Sequence, residues 1–281
     1  MTMRLRTLLG TYPGTAALKD GSIASDSVAL DFVDYSPANK GFKPMVREQA
    51  FDVSEMAIVT YLIAKSFGKP MVLLPSVVVA RFQHGYALYR AELGELKPRD
   101  LEGKRVGIRS FTTTTGAWLR GILANDYGVD LHSIDWVTFE DAHVAEFRDT
   151  TVRAPQGKEI IQMLLDGELD AVLGEKLERP GLKPLFPDVA GEEKSWFAKH
   201  KVRAINHMVV VSEALAGASP DAVREVFRML QVSASVAPPQ FSSDEMSRSL
   251  AMISEFAAQQ GLIPRAFPVD ELFDDLTRSL R

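Results

Sequence analysis

Leu101 to Asp130 reads LEGKRVGIRSFTTTTGAWLRGILANDYGVD. A strand, a polar loop and a helix follow one another in this stretch. Glu102-Gly103-Lys104 is a turn signal, and Arg105 to Ile108 after it is a β-prone run. Ala117 to Tyr127 carries Trp118, Leu119, Ile122, Leu123 and Tyr127 at a spacing that gives one apolar helical face. Gly128 stands where a left-handed C-cap needs it. Between strand and helix lie Ser110, Phe111 and the four threonines Thr112 to Thr115.

The first turn of a helix leaves backbone N–H groups unpaired and carries partial positive charge, so it attracts anions. Threonine hydroxyls either cap those groups or join them in holding a carboxylate or phosphate. The loop is therefore either a Ser/Thr-rich cap or a small-anion site. Ser110, Thr113, Thr114 and Thr115 are the binding candidates, with Arg109 and Arg120 as nearby charges. Gly107 and Gly116 are too few and wrongly spaced for a P-loop or a dinucleotide fingerprint.

The same alternation extends along the chain. Strands are expected at Leu5 to Leu9, Val28 to Val33, Met71 to Leu74, Tyr86 to Tyr89, Ile134 to Phe139, Leu169 to Leu173 and Ile205 to Val211. Phe51 to Glu55 reads as a short strand or turn, with Ser54 as N-cap of a helix over Glu55 to Phe67. Further helices are expected at Glu159 to Leu165, Ala222 to Ser235, Ser243 to Gln260 and Val269 to Leu280. Strands alternating with helices predict parallel α/β sheets, whose ligands lie beyond the carboxyl ends of the strands. Four polar loops occupy such positions: Gly10 to Gly14, Ser54-Glu55, Ser110 to Thr115 and Gly174-Glu175. Their convergence on one cleft would make a two-lobed binding protein.

Composition removes several alternatives. A formal charge of −5, with no dense basic cluster, gives no nucleic-acid surface. With no cysteine there is no disulfide, thiolate chemistry or cysteine-bound metal. The most apolar run, Met71 to Ala80, is too short to cross a bilayer and reads as a buried strand. The N-terminal segment lacks the apolar core and cleavage site of a signal peptide, so the expected compartment is the cytoplasm.

Several segments resemble 4,5-dihydroxyphthalate decarboxylases. They are Phe51-Asp52-Val53-Ser54-Glu55-Met56, Leu101-Glu102-Gly103-Lys104-Arg105-Val106-Gly107, Trp118-Leu119-Arg120-Gly121 and Tyr127-Gly128-Val129. Leu164 to Ala171, Leu185-Phe186-Pro187-Asp188 and His207 before a valine-rich strand continue the match in the same order. The resemblance implies a two-lobed type-2 periplasmic-binding-protein fold: two mixed sheets flanked by helices, with a cleft between lobes. Residues 1–92 and 204–281 would form lobe one, and residues 93–203 lobe two. The implied activity is loss of CO2 from an ortho-dicarboxylated catechol to give 3,4-dihydroxybenzoate, a step of aromatic catabolism. The threonine-rich loop, and glycine rather than serine after His84, depart from the family pattern and leave the exact substrate open.

A decarboxylase that uses no cofactor must hold carboxylates and protonate the ring carbon that loses CO2. The proton donor needs a pKa near neutrality, which favours histidine or a buried carboxyl. Arginines and helix N-termini suit the carboxylates. His207 and His84 are the candidate acids, both placed near the crossovers by the resemblance, and Glu55 is the next. His132, His143 and His200 lie in charged segments and read as surface residues. Arg81, Arg109 and Glu175 complete the substrate-binding set, each weighed against an ordinary surface role. His84, His207, Glu55 and Glu175 could combine around a metal, but no HxxxH or HxH spacing supports it, so no metal is expected. The expected partner is a small anionic, aromatic ligand, without nucleic acid or membrane; a homo-oligomer is left open. The rival reading is a solute-binding protein that closes on such an anion without chemistry.

Overall fold

The computed structural model describes residues 2–237 and 241–281. Among them run the strands β1 (Met3–Leu8), β2 (Val28–Phe32), β3 (Val53–Ala57), β4 (Met71–Ala80), β5 (Ala87–Arg90) and β6 (Arg105–Ile108). β7 (Asp135–Thr138), β8 (Val152–Arg153), β9 (Ala171–Leu173), β10 (Leu182–Pro184) and β11 (Ile205–Ser212) follow. They form two sheets, in the orders β2-β1-β3-β11-β4 and β10-β5-β9-β6-β7-β8. In the first sheet β1 is parallel to β2 and β3, and β11 returns antiparallel between β3 and β4. In the second, β6 is parallel to β7 and β9, while β5 is antiparallel to β9 and β10. Both sheets are mixed and accompanied by helices, as the resemblance implies; the purely parallel sheets expected from the strand–helix alternation are not found, because β11 and β5 run antiparallel to their neighbours.

The chain divides into two compact units. One comprises Met1–Ala80, Ile205–Ser254 and Phe267–Arg281; the other comprises Arg81–Ala204 and Glu255–Ala266. The expected boundaries were 92/93 and 203/204; here residues 81–92, with β5 paired into the second sheet, and residues 255–266 are grouped with the second unit instead of the first.

In the first unit, alternate strand residues Leu5, Val53, Leu74, Val209 and Val211 turn to one face. Helix Pro220–Ser235 lays Val223, Val226 and Leu230 against it, three and four residues apart. The apolar run 71–80 is one ten-residue strand, β4, at the edge of the sheet. That position tolerates Pro75, which has no N–H for a second neighbour. In the second unit, Val106 and Ile108 of β6 pack with Ala171 and Leu173 of β9 and with Leu119 and Leu123 of the helix Thr114–Tyr127. Gly128 closes that helix at φ 66°, and its N–H donates to the Leu123 carbonyl.

Three expectations change. Ser54 is not an N-cap and Glu55 is not in a first helical turn: both lie inside β3, and the helix begins at Ile58. Pairing with β1 on one side and β11 on the other keeps the backbone extended through Ala57. The helix expected over Val269 to Leu280 is a short 3₁₀ turn, Val269–Leu272, and a single turn, Asp275–Arg278. They are separated by extended Phe273 and by Asp274, whose side chain accepts from Thr277 N–H. The central helix starts at Thr114, earlier than Ala117. Helices Phe42–Glu48 and Val189–His200 had no counterpart in the sequence reading.

Candidate functional site

His207 and Glu55 meet because of strand register. β11 pairs antiparallel with β3, so that Val209 faces Glu55 and His207 faces Ala57. Residues two apart share a face, which makes Glu55 and His207 diagonal neighbours within reach of long side chains. On its other side β11 meets β4 with register shifts from Ile205 to Val209. Such irregularities re-aim a side chain, and His207 sits inside this one.

His207 Nδ1 lies 2.6 Å from Glu55 Oε1. The same oxygen accepts from the Tyr12 hydroxyl at 2.8 Å, and Oε2 accepts from the Gly10 N–H at 2.8 Å. Glu55 is fully buried, whereas the His207 side chain keeps 21% of its surface exposed. Burial pushes the Glu55 carboxyl up, but the hydrogen bonds from His207, Gly10 and Tyr12 and the His207 charge outweigh it and hold it below the usual carboxylate value. An ionised carboxylate only accepts, so Nδ1 carries the proton toward Glu55 and Nε2 is left for exchange. The Phe42 ring stands edge-on to the imidazole, 5.2 Å between centroids, and limits its rotation. This arrangement can store and deliver one proton.

The second unit holds the other candidates. Thr113 has N-cap backbone angles, but its side chain makes no capping bond and its Oγ1 has no hydrogen-bond partner. Ser110 and Thr112 share a hydroxyl contact at 3.1 Å, and Thr115 Oγ1 accepts from Arg81 Nη2 at 3.1 Å. The Arg81 guanidinium also lies 4.5 Å from the Tyr86 ring centroid, with the Lys176 ammonium 5.8 Å from the same ring. Arg120 turns inward, fully buried. It donates to the Phe111 carbonyl at 2.6 Å and to Gln260 Oε1 at 2.8 Å, so it braces the loop from beneath. Burial pulls its guanidinium down to about 9 despite the attraction of Asp149. Gly116 is needed for close packing rather than for phosphate: a Cβ there would sit 2.1 Å from Ile108 Cδ1 and 2.8 Å from Thr113 Oγ1. Arg109 forms a long, half-exposed contact with Glu140, 3.9 Å. Burial raises the Glu175 carboxyl, and the Arg109 charge offsets only part of that rise.

His84 differs from His207. It is fully buried in a 3₁₀ turn, and neither ring nitrogen has a hydrogen-bond partner. Its neighbours are the rings of Phe186 and Trp196, at 5.0 and 6.1 Å. Burial lowers its pKa more than the charges of Glu192 and Asp126 raise it. His132 is exposed. His200, expected on the surface, is instead half-buried and bonded to Asp126 Oδ1 at 2.7 Å. Among the described residues no group of three or more His, Cys, Asp or Glu is placed to hold a metal ion. Among them, too, no helix is long and apolar enough to cross a membrane.

Sequence reasoning marked Gly10 to Gly14 as a strand-end loop but singled out no residue in it. Tyr12 and the Gly10 N–H are the additions, together with a pocket of about 450 Å³ in the first unit, lined by residues including Gly10, Tyr12, Lys19, Phe32 and Tyr35. The available signal was a Gly-x-Tyr at the carboxyl end of the first parallel strand.

No protein-family model matches the chain. It is 29% identical over 234 residues to a 4,5-dihydroxyphthalate decarboxylase of Comamonas testosteroni, covering 78% of this chain and 71% of that one. It is 26% identical over 211 residues to a 4,5-dihydroxyphthalate decarboxylase of Pseudomonas putida, covering 69% and 81%. Among solved structures, the alkanesulfonate-binding protein SsuA of Xanthomonas axonopodis pv. citri, bound to MOPS, aligns with TM-score 0.59 at 14% identity over 96% of this chain and 98% of that one. The periplasmic sulfonate-binding protein SsuA of Methylobacillus flagellatus aligns with TM-score 0.60 at 12% identity, covering 99% and 93%. A Candida albicans protein with the generic periplasmic-binding-protein fold aligns at 0.54 and 10% identity, covering 99% and 94%. The fold is therefore that of the periplasmic binding proteins.

Proposed function

We propose that this chain, a 4,5-dihydroxyphthalate decarboxylase-like protein of periplasmic-binding-protein fold, is itself a decarboxylase of a small hydroxylated aromatic acid, a carbon–carbon lyase. The observation that carries the reading is the 2.6 Å contact between His207 Nδ1 and the buried, three-donor Glu55 carboxylate. Fold likeness to sulfonate-binding proteins is neutral between chemistry and binding. A buried carboxylate orienting a histidine whose other nitrogen is left for exchange favours chemistry.

In the proposed reaction, protonated His207 gives its Nε2 proton to the ring carbon bearing the departing carboxylate. The carbon–carbon bond to that carboxylate then breaks, its electron pair returns to the ring and restores aromaticity, and CO2 leaves. His207 recovers a proton from solvent, so one proton is consumed for each CO2 released. A hydroxyl para to the reacting carbon supplies electron density while its proton is shared with a base. Ionised Glu55 stabilises the imidazolium and keeps its orientation. Within the second unit, Arg81 and the Ser110 to Thr115 loop are by themselves a candidate carboxylate-binding element, through the guanidinium and the N–H groups of the helix Thr114–Tyr127.

The second reading is an anion-binding protein without chemistry, which the fold shared with the sulfonate-binding proteins fits equally well. The deciding experiment incubates purified protein with a panel of hydroxylated aromatic acids and follows products by mass spectrometry. The decarboxylase reading expects 4,5-dihydroxyphthalate to lose CO2 and yield 3,4-dihydroxybenzoate. Calorimetric binding without any decarboxylated product would assign the chain to the second reading.

A further inference from the structure

The Gly10 to Thr15 loop is more heavily tied than a connecting turn requires. The buried Thr15 hydroxyl donates to the Gly10 carbonyl at 2.7 Å and accepts from the Tyr12 N–H at 2.9 Å. Lys19 Nζ donates to the Leu9 carbonyl at 2.9 Å. The Tyr12 ring lies so close over Gly10 that a Cβ there would meet it at 2.5 Å, which excludes any residue but glycine without moving the ring. These ties fix the phenol where its hydroxyl reaches Glu55 Oε1, the atom that also bonds His207 Nδ1. Tyr12 also lines the pocket, alongside Phe32 and Tyr35 and the Lys19 ammonium, which lies 5.5 Å from the Phe32 ring centroid. Three aromatic side chains and one cation suit an aromatic ring bearing anionic or phenolic oxygens.

We propose that Tyr12 is a positioning residue, which joins the wall of this aromatic-ligand pocket to the proton-delivering pair by holding the Glu55 carboxylate in its ionised, His207-directed form. The proposal deepens the decarboxylase reading and rests on it for its catalytic consequence. Its structural half stands on the hydrogen bonds alone. Among the described residues, the titratable groups bonded to Glu55 are His207 from β11 and Tyr12 from the loop after β1; Lys19 is directed to the Leu9 carbonyl.

The test is Tyr12→Phe, which keeps the ring over Gly10 and removes only the hydroxyl. Because the folded-state pKa of Glu55 lies below its ordinary value of 4.5, its stabilising contribution is present above that value and is lost as pH falls through the folded pKa. Loss of one donor makes that depression smaller. In urea denaturation, wild type should exceed the variant by about tenfold in folding equilibrium constant at neutral pH, the worth of one hydrogen bond to a charged group. That advantage should shrink as pH falls below 4.5, and in a Glu55→Gln background its pH dependence should vanish. With 4,5-dihydroxyphthalate the variant should lose about tenfold in kcat with KM little changed. A stability difference that is the same at every pH, or that persists with its pH dependence in the Glu55→Gln background, would overturn the proposal and leave Tyr12 a packing residue. If wild type shows no turnover, the decarboxylase reading fails by itself, and the pH-dependent stability cycle still decides the Tyr12–Glu55 linkage.

Discussion

Two histidines of this protein, one in each compact unit, are buried to different ends. His207 retains partial exposure and has a carboxylate fixed against one ring nitrogen. His84 has no exposure and no hydrogen-bond partner, only aromatic edges. Burial disfavours the imidazolium and lowers the His84 pKa, whereas His207 has the Glu55 carboxylate directly against its Nδ1. The difference lies in what surrounds each ring, and it turns two residues that read alike in sequence into a packing element and a candidate acid.

The largest effect that would break this contrast is on stability. Glu55→Ala removes the acceptor for Gly10 N–H, the Tyr12 hydroxyl and His207 together. Its expected cost is about 3–5 kcal/mol, the usual loss when one partner of a buried charged pair is deleted. Urea denaturation checks it, and a loss under about 1 kcal/mol would mean that the pair is not tightly coupled. A smaller effect is expected at His84. His84→Leu keeps a similar volume among Phe186 and Trp196 and should change stability at neutral pH by less than about 1.5 kcal/mol. With a folded pKa below 6.5, wild-type His84 lets the unfolded chain take up a proton first, so stability falls as pH drops through and below 6.5. The leucine variant lacks this loss and should gain on wild type over that interval, with turnover unchanged. Inactivity of a folded His84→Leu protein would move the acid role to the second unit.

Much of the scaffold was legible because its signals are local. The strand, loop and helix of Leu101 to Asp130, the Gly128 cap and the two long amphipathic helices are written in short-range periodicity. Glu55 was misplaced into a helical turn because Ser54-Glu55 looks like a cap locally, while the two flanking strands that hold it extended are distant in sequence. The His207–Glu55 contact spans 152 positions and depends on register and on the irregular pairing with β4, neither of which has a sequence signature. Tyr12 was passed over for the same reason: a tyrosine in a glycine-bounded loop becomes informative only when its hydroxyl is found on a buried carboxylate. The helix Val189–His200 was missed because only Trp196 of its residues is buried, leaving little apolar periodicity to read.

The most direct test of the central claim, that His207 oriented by Glu55 delivers the proton, is the paired measurement of turnover and affinity for His207→Asn with 4,5-dihydroxyphthalate. Asparagine keeps a hydrogen-bonding side chain of comparable size beside Glu55. Turnover should fall by about 10²–10⁴-fold, the usual worth of a positioned general acid, while calorimetric affinity stays within a few-fold of wild type. Turnover of the variant at the wild-type level, with the ligand bound equally well, would contradict the account.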